Sequence, residues 1–388
     1  MKDESRLLVR LARDCWTMSP SDPNLTGQRF GGERVMIRVI LGVLGIALVL
    51  VCVRIGYVVT RASGTLSHPE YTDNAACSPV EVAPGTEDVT YDPVTELVFV
   101  STAERRTGEM HPSNGIYVFA PETPDSVRLV SIDAPADFRP HGISLWRGAD
   151  EDGEDIGRLF VISHPYSGHQ VLIYDVGEDG ALSHLETVSY EALRSPNDIV
   201  GVGPNRFYAT NDVYFGDTPM GYLEAFLALP LGSISYYDGQ EGRIVADGLA
   251  YANGINISAD GSELYASAFI GRALHVFNRD AATGDLTRTA RHPVPLGLDN
   301  IEIGTDGALY IAGNVNVFEF LAHQNDPEAH APSQAVRVEP DSGDWTTVFA
   351  DSGEAIDSTS VATRVGDQLL LGAVFDSHVL VCPYSAGP

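Results

Sequence analysis

Residues 196–212, PNDIVGVGPNRFYATND, run from a polar pair through an alternating apolar stretch, a glycine-containing turn and a second apolar run, back to polar residues. Alternation puts successive side chains on opposite faces of a strand, and the turn folds the chain back, so the stretch reads as a β-hairpin whose open end is polar. The same pattern recurs at residues 87–103 (EDVTYDPVTELVFVSTA), 141–165 (HGISLWRGADEDGEDIGRLFVISHP), 253–270 (NGINISADGSELYASAFI) and 299–314 (DNIEIGTDGALYIAGN). A weaker copy lies at 360–375 (SVATRVGDQLLLGAVF). The copies begin at 87, 141, 197, 253, 299 and 360, which are 46 to 61 residues apart. Repeats of that length, built of short strands and turns, predict an all-β chain folded as a six-bladed β-propeller, one blade per copy.

In a propeller the innermost strand of every blade lines a central channel, so equivalent positions converge on one axis. The residues opening the copies are Glu87 and Asp88, His141, Asn197 and Asp198, Asn253, and Asp299 and Asn300. A hydrophobic core has no use for that set. Glu87, Asn197, Asn253, Asp299 and Asn300 offer five side-chain oxygens and no sulfur or imidazole, a donor set for Ca²⁺ rather than Zn²⁺. Five protein ligands leave a position open, as a hydrolase needs if the ion is to polarise an ester carbonyl. Two competing readings remain at this level: Asn and Asp capping turns, and a metal that only plugs the channel.

The whole chain has 388 residues, 44% hydrophobic and 20% charged, which is enough to build a sizeable core. Its 53 acidic against 24 basic residues give a formal charge of −29, and Lys2 is the only lysine. That balance argues against nucleic acid, because phosphate neutralisation needs a basic face. Residues 1–35 are a mixed polar leader, and residues 39–53 then run uncharged between Arg38 and Arg54. Residues 36–60 read as a signal anchor or transmembrane segment, with a cleaved signal peptide as the alternative. Arg29, Arg34 and Arg38 favour a cytoplasmic N-terminus and export of the repeats. Met36 opens a short basic n-region, so the leader is expected to be an over-extended start that is not translated; N-terminal sequencing of the native protein checks this. Residues 61–76 then form a linker and residues 77–388 the propeller.

Of the four cysteines, Cys52 sits in the apolar run and Cys15 in the leader, while Cys77 and Cys382 flank the first and last repeats. A Cys77–Cys382 disulfide would staple the closure of the ring, worth roughly 5 kcal/mol in the chain-entropy model, and fits an oxidising compartment. The alternative is two buried thiols. His141 opens the first strand of its hairpin and His164 closes the second, so both lie at one mouth of the channel. Asp212 ends the corresponding strand of the next blade. Residues 214–231, YFGDTPMGYLEAFLALPL, are rich in aromatic and apolar side chains and read as an apolar wall for an acyl chain or an outer strand of their blade. No G-x-S-x-G, P-loop or Cys/His cluster is present, which excludes the usual serine hydrolase, nucleotide and zinc signatures.

Six segments, GTEDV (85–89), RPHGIS (139–144), ISHP (162–165), residues 196–212, YANGINISADG (251–261) and LDNI (298–301), together with the terminal cysteine pair and the apolar N-terminus, resemble the paraoxonase/arylesterase family of calcium-dependent lactonases. The resemblance spans about residues 77 to 382, in the family's order. It implies two calcium ions. The catalytic one falls to Glu87, Asn197, Asn253, Asp299 and Asn300, and the structural one to Asp88, Asp198 and the backbone carbonyl of Ile143. It further implies a histidine dyad in which His141 activates the hydrolytic water and His164 supports it, with Asp212 sharing or relaying the proton. The expected substrates are small lactones and aryl esters. The alternatives are a sugar-lactone hydrolase of the gluconolactonase or senescence-marker type, and a calcium-stabilised binding propeller without catalysis.

Overall fold

The computed structural model describes residues 25–150 and 152–385, with side chains from residue 34 onward. The reading of residues 1–35 as a separate leader falls largely on residues 1–24, which lie outside the described ones. The chain divides into two units, residues 1–56 and 57–388. In the first, helix α1 (Leu25–Tyr57) carries the apolar run, and Arg34–Ala62 is long and apolar enough to cross a membrane.

The second unit holds six four-stranded antiparallel sheets, five of them meanders in which consecutive strands pair. The innermost strands are Thr86–Asp92, Pro140–Ala149, Pro196–Gly201, Ala252–Ile257, Gly297–Ile303 and Thr359–Val365, in blades one to six. The six hairpins read from the sequence are therefore the two inner strands of six blades. The ring closes by exchange: the outer strand of blade six is Ser78–Glu81, from the beginning of the unit, paired with His378–Pro383 from its end. The Cys77–Cys382 disulfide covers that seam.

Each blade is apolar on both faces, so its strands pack against both neighbours. The result is six buried clusters, one per interface. Phe99, Ile116, Leu159 and Leu172 lie between blades one and two, for example, and Phe160, Ile173, Ile199 and Phe207 between two and three. Val80, Val89, Val361 and Leu370 fill the interface that closes the ring. Burying each such side chain stabilises the fold by about 1.5–3 kcal/mol.

Residues 61–76, expected as a linker, are tied onto the propeller. Thr72 N–H donates to Ala350 O at 3.0 Å, and Arg272 Nε donates to Ala62 O at 2.8 Å. Residues 214–231 do not form an outer strand. They carry helix α2 (Pro219–Phe226), which starts where Thr218 Oγ1 accepts the Gly221 N–H. Tyr214, Phe215, Met220, Tyr222, Leu223 and Phe226 of this excursion are exposed. A further helix, α3 (Val317–Asn325), interrupts blade five between its second and third strands.

Candidate functional site

The geometry of the channel rests on one irregularity repeated around the ring. In every blade the pairing of the two inner strands shifts register once, between Thr86 and Asp88, Pro140 and Ile143, Pro196 and Ile199, Ala252 and Ile255, Leu298 and Ile301, and Thr359 and Val361. The residues skipped are Glu87, His141 with Gly142, Asn197 with Asp198, Asn253 with Gly254, Asp299 with Asn300, and Ser360. A β-bulge releases its residues from the ladder and re-aims their side chains. Five of the six bulges thus present the polar residues picked out by the sequence.

Two of the bulges depend on glycine because neighbouring blades approach closely there. A Cβ on Gly254 would stand 2.3 Å from the Asp299 carbonyl oxygen and 2.7 Å from Asn300 Cα; one on Gly142 would stand 2.6 Å from Asp198 Cα. The contacts are backbone, so nothing flexible can yield. The glycines of HGIS and NGIN therefore bring successive blades together at the axis.

At the centre Glu87, Asn197, Asn253, Asp299 and Asn300 are all buried, Glu87 to 2% exposure. Asn300 Nδ2 donates to Glu87 Oε1 at 3.1 Å, and Asn253 hydrogen-bonds Asp299. Four oxygens have no hydrogen-bond partner: Glu87 Oε2 and the Oδ1 atoms of Asn197, Asn253 and Asn300. An unsatisfied buried acceptor costs roughly 1–3 kcal/mol, so four together describe a cradle that a hard cation would complete. The charges agree. Burial, and then the charge of Glu87, drive the Asp299 carboxyl well above its ordinary range. Burial would raise Glu87 too, but His141, Arg105 and Asn300 together bring it below its usual value. The residues present fit Ca²⁺: oxygen donors, partly charged, with four of their oxygens unpartnered.

Asp88 and Asp198 behave differently. Asp88 accepts N–H groups from Val89 at 2.9 Å and from Ile143 of the next blade at 2.7 Å. Asp198 accepts from Ile199 at 2.7 Å and from Ile255 of the next blade at 2.8 Å. Each carboxylate thereby staples two blades. Burial, and then the charge of a neighbouring carboxylate, push both well above the ordinary range. Ile143, which pairs with Val161 just after the bulge, takes part through its N–H.

His141 and His164 do meet, with Nδ1 of the first 2.9 Å from Nε2 of the second. His141 Nε2 stands 3.5 Å from Glu87 Oε1, at the edge of the oxygen cluster. Burial first, then the imidazoles of His141 and His169 and the guanidinium groups of Arg105 and Arg139, hold His164 well below the usual imidazole range, so it is neutral. Asp212 is pushed up to about 6 by burial, although Ser195 and the Val213 N–H bond its carboxylate. Tyr251, in the left-handed region at φ 62°, hydrogen-bonds it.

Three residues here escape a reading of the sequence. His169 bonds His164, Nδ1 to Nδ1, at 2.8 Å, so a third histidine of the eleven belongs to the mouth; its signal is the spacing H-P-Y-S-G-H. Tyr251 precedes the NGIN copy and carries no signal of its own. Arg105 donates to the backbone carbonyls of Gly85, Ala103 and Pro140 and stands 3.9 Å from Glu87 Oε2. No local pattern distinguishes that arginine from Arg106 beside it.

The Arylesterase family model matches residues 89–383. Human serum paraoxonase/arylesterase 2 is 31% identical over 358 residues, covering 87% of this chain and 97% of the relative. Rat serum paraoxonase/arylesterase 1 is 33% identical over 319 residues, covering 77% and 85% respectively. Among solved structures, a gluconolactonase from Xanthomonas campestris is 17% identical at a TM-score of 0.51, covering 82% of this chain and 95% of that one. A luciferin-regenerating enzyme is 15% identical at 0.50, covering 80% and 98%. At such identities these structures share the fold alone.

Proposed function

The chain belongs to the paraoxonase/arylesterase family, and from that premise we propose that it is a calcium-dependent hydrolase of small lactones and aryl esters, working at the mouth of the channel where His141 borders the oxygen cluster. One observation carries the reading: four buried side-chain oxygens, from the innermost strands of four blades, are left without hydrogen-bond partners.

Glu87, Asn197, Asn253, Asp299 and Asn300 would hold the catalytic ion, and Asp88, Asp198 and the Ile143 carbonyl a second, structural one. Calcium bound at the first site supplies Lewis acidity toward the ester carbonyl and compensates charge that develops on its oxygen. The protein supplies the proton chemistry. His141 Nε2 faces the cluster with a lone pair when Nδ1 carries the proton, and that tautomer is favoured if Nδ1 donates to His164 Nε2 at 2.9 Å. His141 then takes the proton of the attacking water at Nε2 and returns it to the leaving alkoxide. His164, neutral and partly buried, orients it. Asp212, pushed up to about 6, takes or returns a proton near neutral pH at the same mouth. The apolar α1, with residues 36–60, serves as a signal anchor that places the propeller outside the cytoplasm.

The test is hydrolysis by the chain from about residue 67 of two aliphatic lactones of different chain length, a sugar lactone and phenyl acetate, with calcium and after chelation. Loss of lactone or aryl-ester turnover on chelation, restored by calcium, is the expected result. Preference for the sugar lactone would move the assignment to the gluconolactonase type. A protein that calcium stabilises against heat but that turns over nothing would be a binding propeller.

A further inference from the structure

His164 uses both ring nitrogens on other histidines: Nε2 on His141 Nδ1 at 2.9 Å and Nδ1 on His169 Nδ1 at 2.8 Å. The rings meet edge to face, with centroids 5.1 and 5.0 Å apart. A neutral imidazole has one N–H and one lone pair. The two bonds of His164 must therefore run in the same direction along the chain, and reversing one reverses the other.

Resting on the reading of His141 as the base, we propose that His169 is the outer end of a three-histidine proton relay, which fixes the tautomer of His164 and exchanges the proton with bulk water. In the resting direction His141 Nδ1–H donates to His164 Nε2, His164 Nδ1–H donates to His169 Nδ1, and the His169 proton is on Nε2. When a proton arrives on the inner ring, its Nδ1 proton passes to His164 Nε2. The His164 Nδ1 proton passes to His169 Nδ1, and His169 releases its Nε2 proton to water. When the leaving alkoxide is protonated, the same three transfers run inward and every ring returns to its starting tautomer. No charge is stored on the central ring.

The surroundings suit that arrangement. His164 faces His141, His169, Arg105 and Arg139, all positive or able to become so, and its depressed pKa makes it a conduit rather than a resting place for charge. His169 is only partly buried. Burial lowers it, but it faces the carboxylate of Asp217, which favours its charged form, and His141, which opposes it. Its backbone is anchored: Ser189 Oγ donates to the His169 carbonyl at 3.0 Å, and the turn before it closes through Gly168 N–H to Pro165 O at 3.2 Å.

The experiment compares His169→Gln with the parent in calcium-saturated protein at low and high concentrations of imidazole buffer. Glutamine keeps a hydrogen-bonding side chain but cannot relay a proton. At low buffer kcat should fall by about a hundredfold or more, within the usual range for a lost proton-transfer group, with KM unchanged, and imidazole should restore it in proportion to its concentration. The parent should be insensitive to the buffer. A variant with the parent's kcat at the lowest buffer overturns the relay, as does a loss that imidazole leaves untouched, which would mean a structural role. His141→Gln run alongside separates the two proposals. If that variant hydrolyses like the parent, the base assignment itself fails; if it is inactive while His169→Gln is normal, only the relay does.

Discussion

Two clusters in this propeller combine carboxylates, a histidine and an arginine, and they differ in what is left over. On the axis, Glu87 and Asp299 with three asparagines leave four buried oxygens unpartnered. Beside α3, His323, Asp357 and Asp376 bring ligand-type atoms within 4.8 Å of one another, which looks at first like the better metal site. There, however, the valences are filled. His323 Nδ1 donates to Ala329 O at 2.6 Å and Nε2 accepts from Arg106 at 2.7 Å. Asp357 takes the Ala331 N–H at 2.6 Å, and Asp376 takes the Asp357 N–H at 2.9 Å. Arg106, stacked over Phe375 with 4.5 Å to the ring centroid, already takes up the ring nitrogen that a cation would need. Residue type and proximity do not separate a ligand site from a structural network; unsatisfied acceptors do.

The comparison is broken most directly by removing donors from each cluster in turn. Asp299→Ala or Asn253→Ala should lower kcat by about 10²–10³ or more, the scale of losing transition-state charge stabilisation, while circular dichroism reports a folded protein. Unchanged turnover of phenyl acetate by the Asp299 variant would take the axial cluster out of catalysis. Arg106→Ala should do the reverse. It strips a charged donor from the buried His323 carbonyl and ring, so urea denaturation should show a loss of roughly 1–3 kcal/mol, with kcat and the calcium response intact. A fall in calcium affinity in that variant would mean that the two clusters are coupled.

A smaller effect sharpens the division within the axis itself. If Asp88 and Asp198 hold a structural ion, calcium at about a hundred times its dissociation constant adds about 2.7 kcal/mol to the parent's stability, and Asp88→Ala or Asp198→Ala should lose much of that increment. The variants are also expected to melt lower without calcium, because each carboxylate joins two blades through backbone N–H groups. Identical melting of parent and Asp88 variant, with and without calcium, would remove the second ion.

The fold is legible in the sequence because its information is local and repeated: alternation, a turn, and polar residues at a constant place in each copy. The polar residues that open the copies are legible too, since a bulge at one register in every blade turns a sequence position into a place on the innermost strand. What escapes depends on side chains reaching across loops. His169 folds back on His164 through the turn at Gly168, Arg105 reaches three carbonyls from three segments, and α2 and α3 are excursions that obey no repeat. Residues 214–231 show the limit most plainly. Their apolar composition is evident, but a Thr218 cap and the buried Glu224, whose carboxylate accepts the Tyr214 N–H at 2.9 Å, make them a helix rather than a strand.

Asp212 supplies the smallest and most discriminating test, because it is acidic like the axial residues yet only partly buried, at the mouth. Its folded pKa, about 6, lies above the 3.8 of an unperturbed aspartate, and burial is the main cause. A raised carboxyl pKa means that the folded state binds the proton more tightly than the unfolded one, so this contribution to stability is complete below about 3.8 and is lost as pH rises through 6. Asp212→Asn keeps the size and removes the titration. It should therefore match the parent near pH 4 and become relatively more stable above pH 6, by about 3 kcal/mol once the carboxyl is fully ionised, in denaturation followed across that range with calcium held constant. Hydrolysis should show the other half: if Asp212 takes or returns a proton, kcat of the variant loses its dependence on a group titrating near 6, and if Asp212 only holds its turn, the pH profile keeps its shape while the stability difference remains.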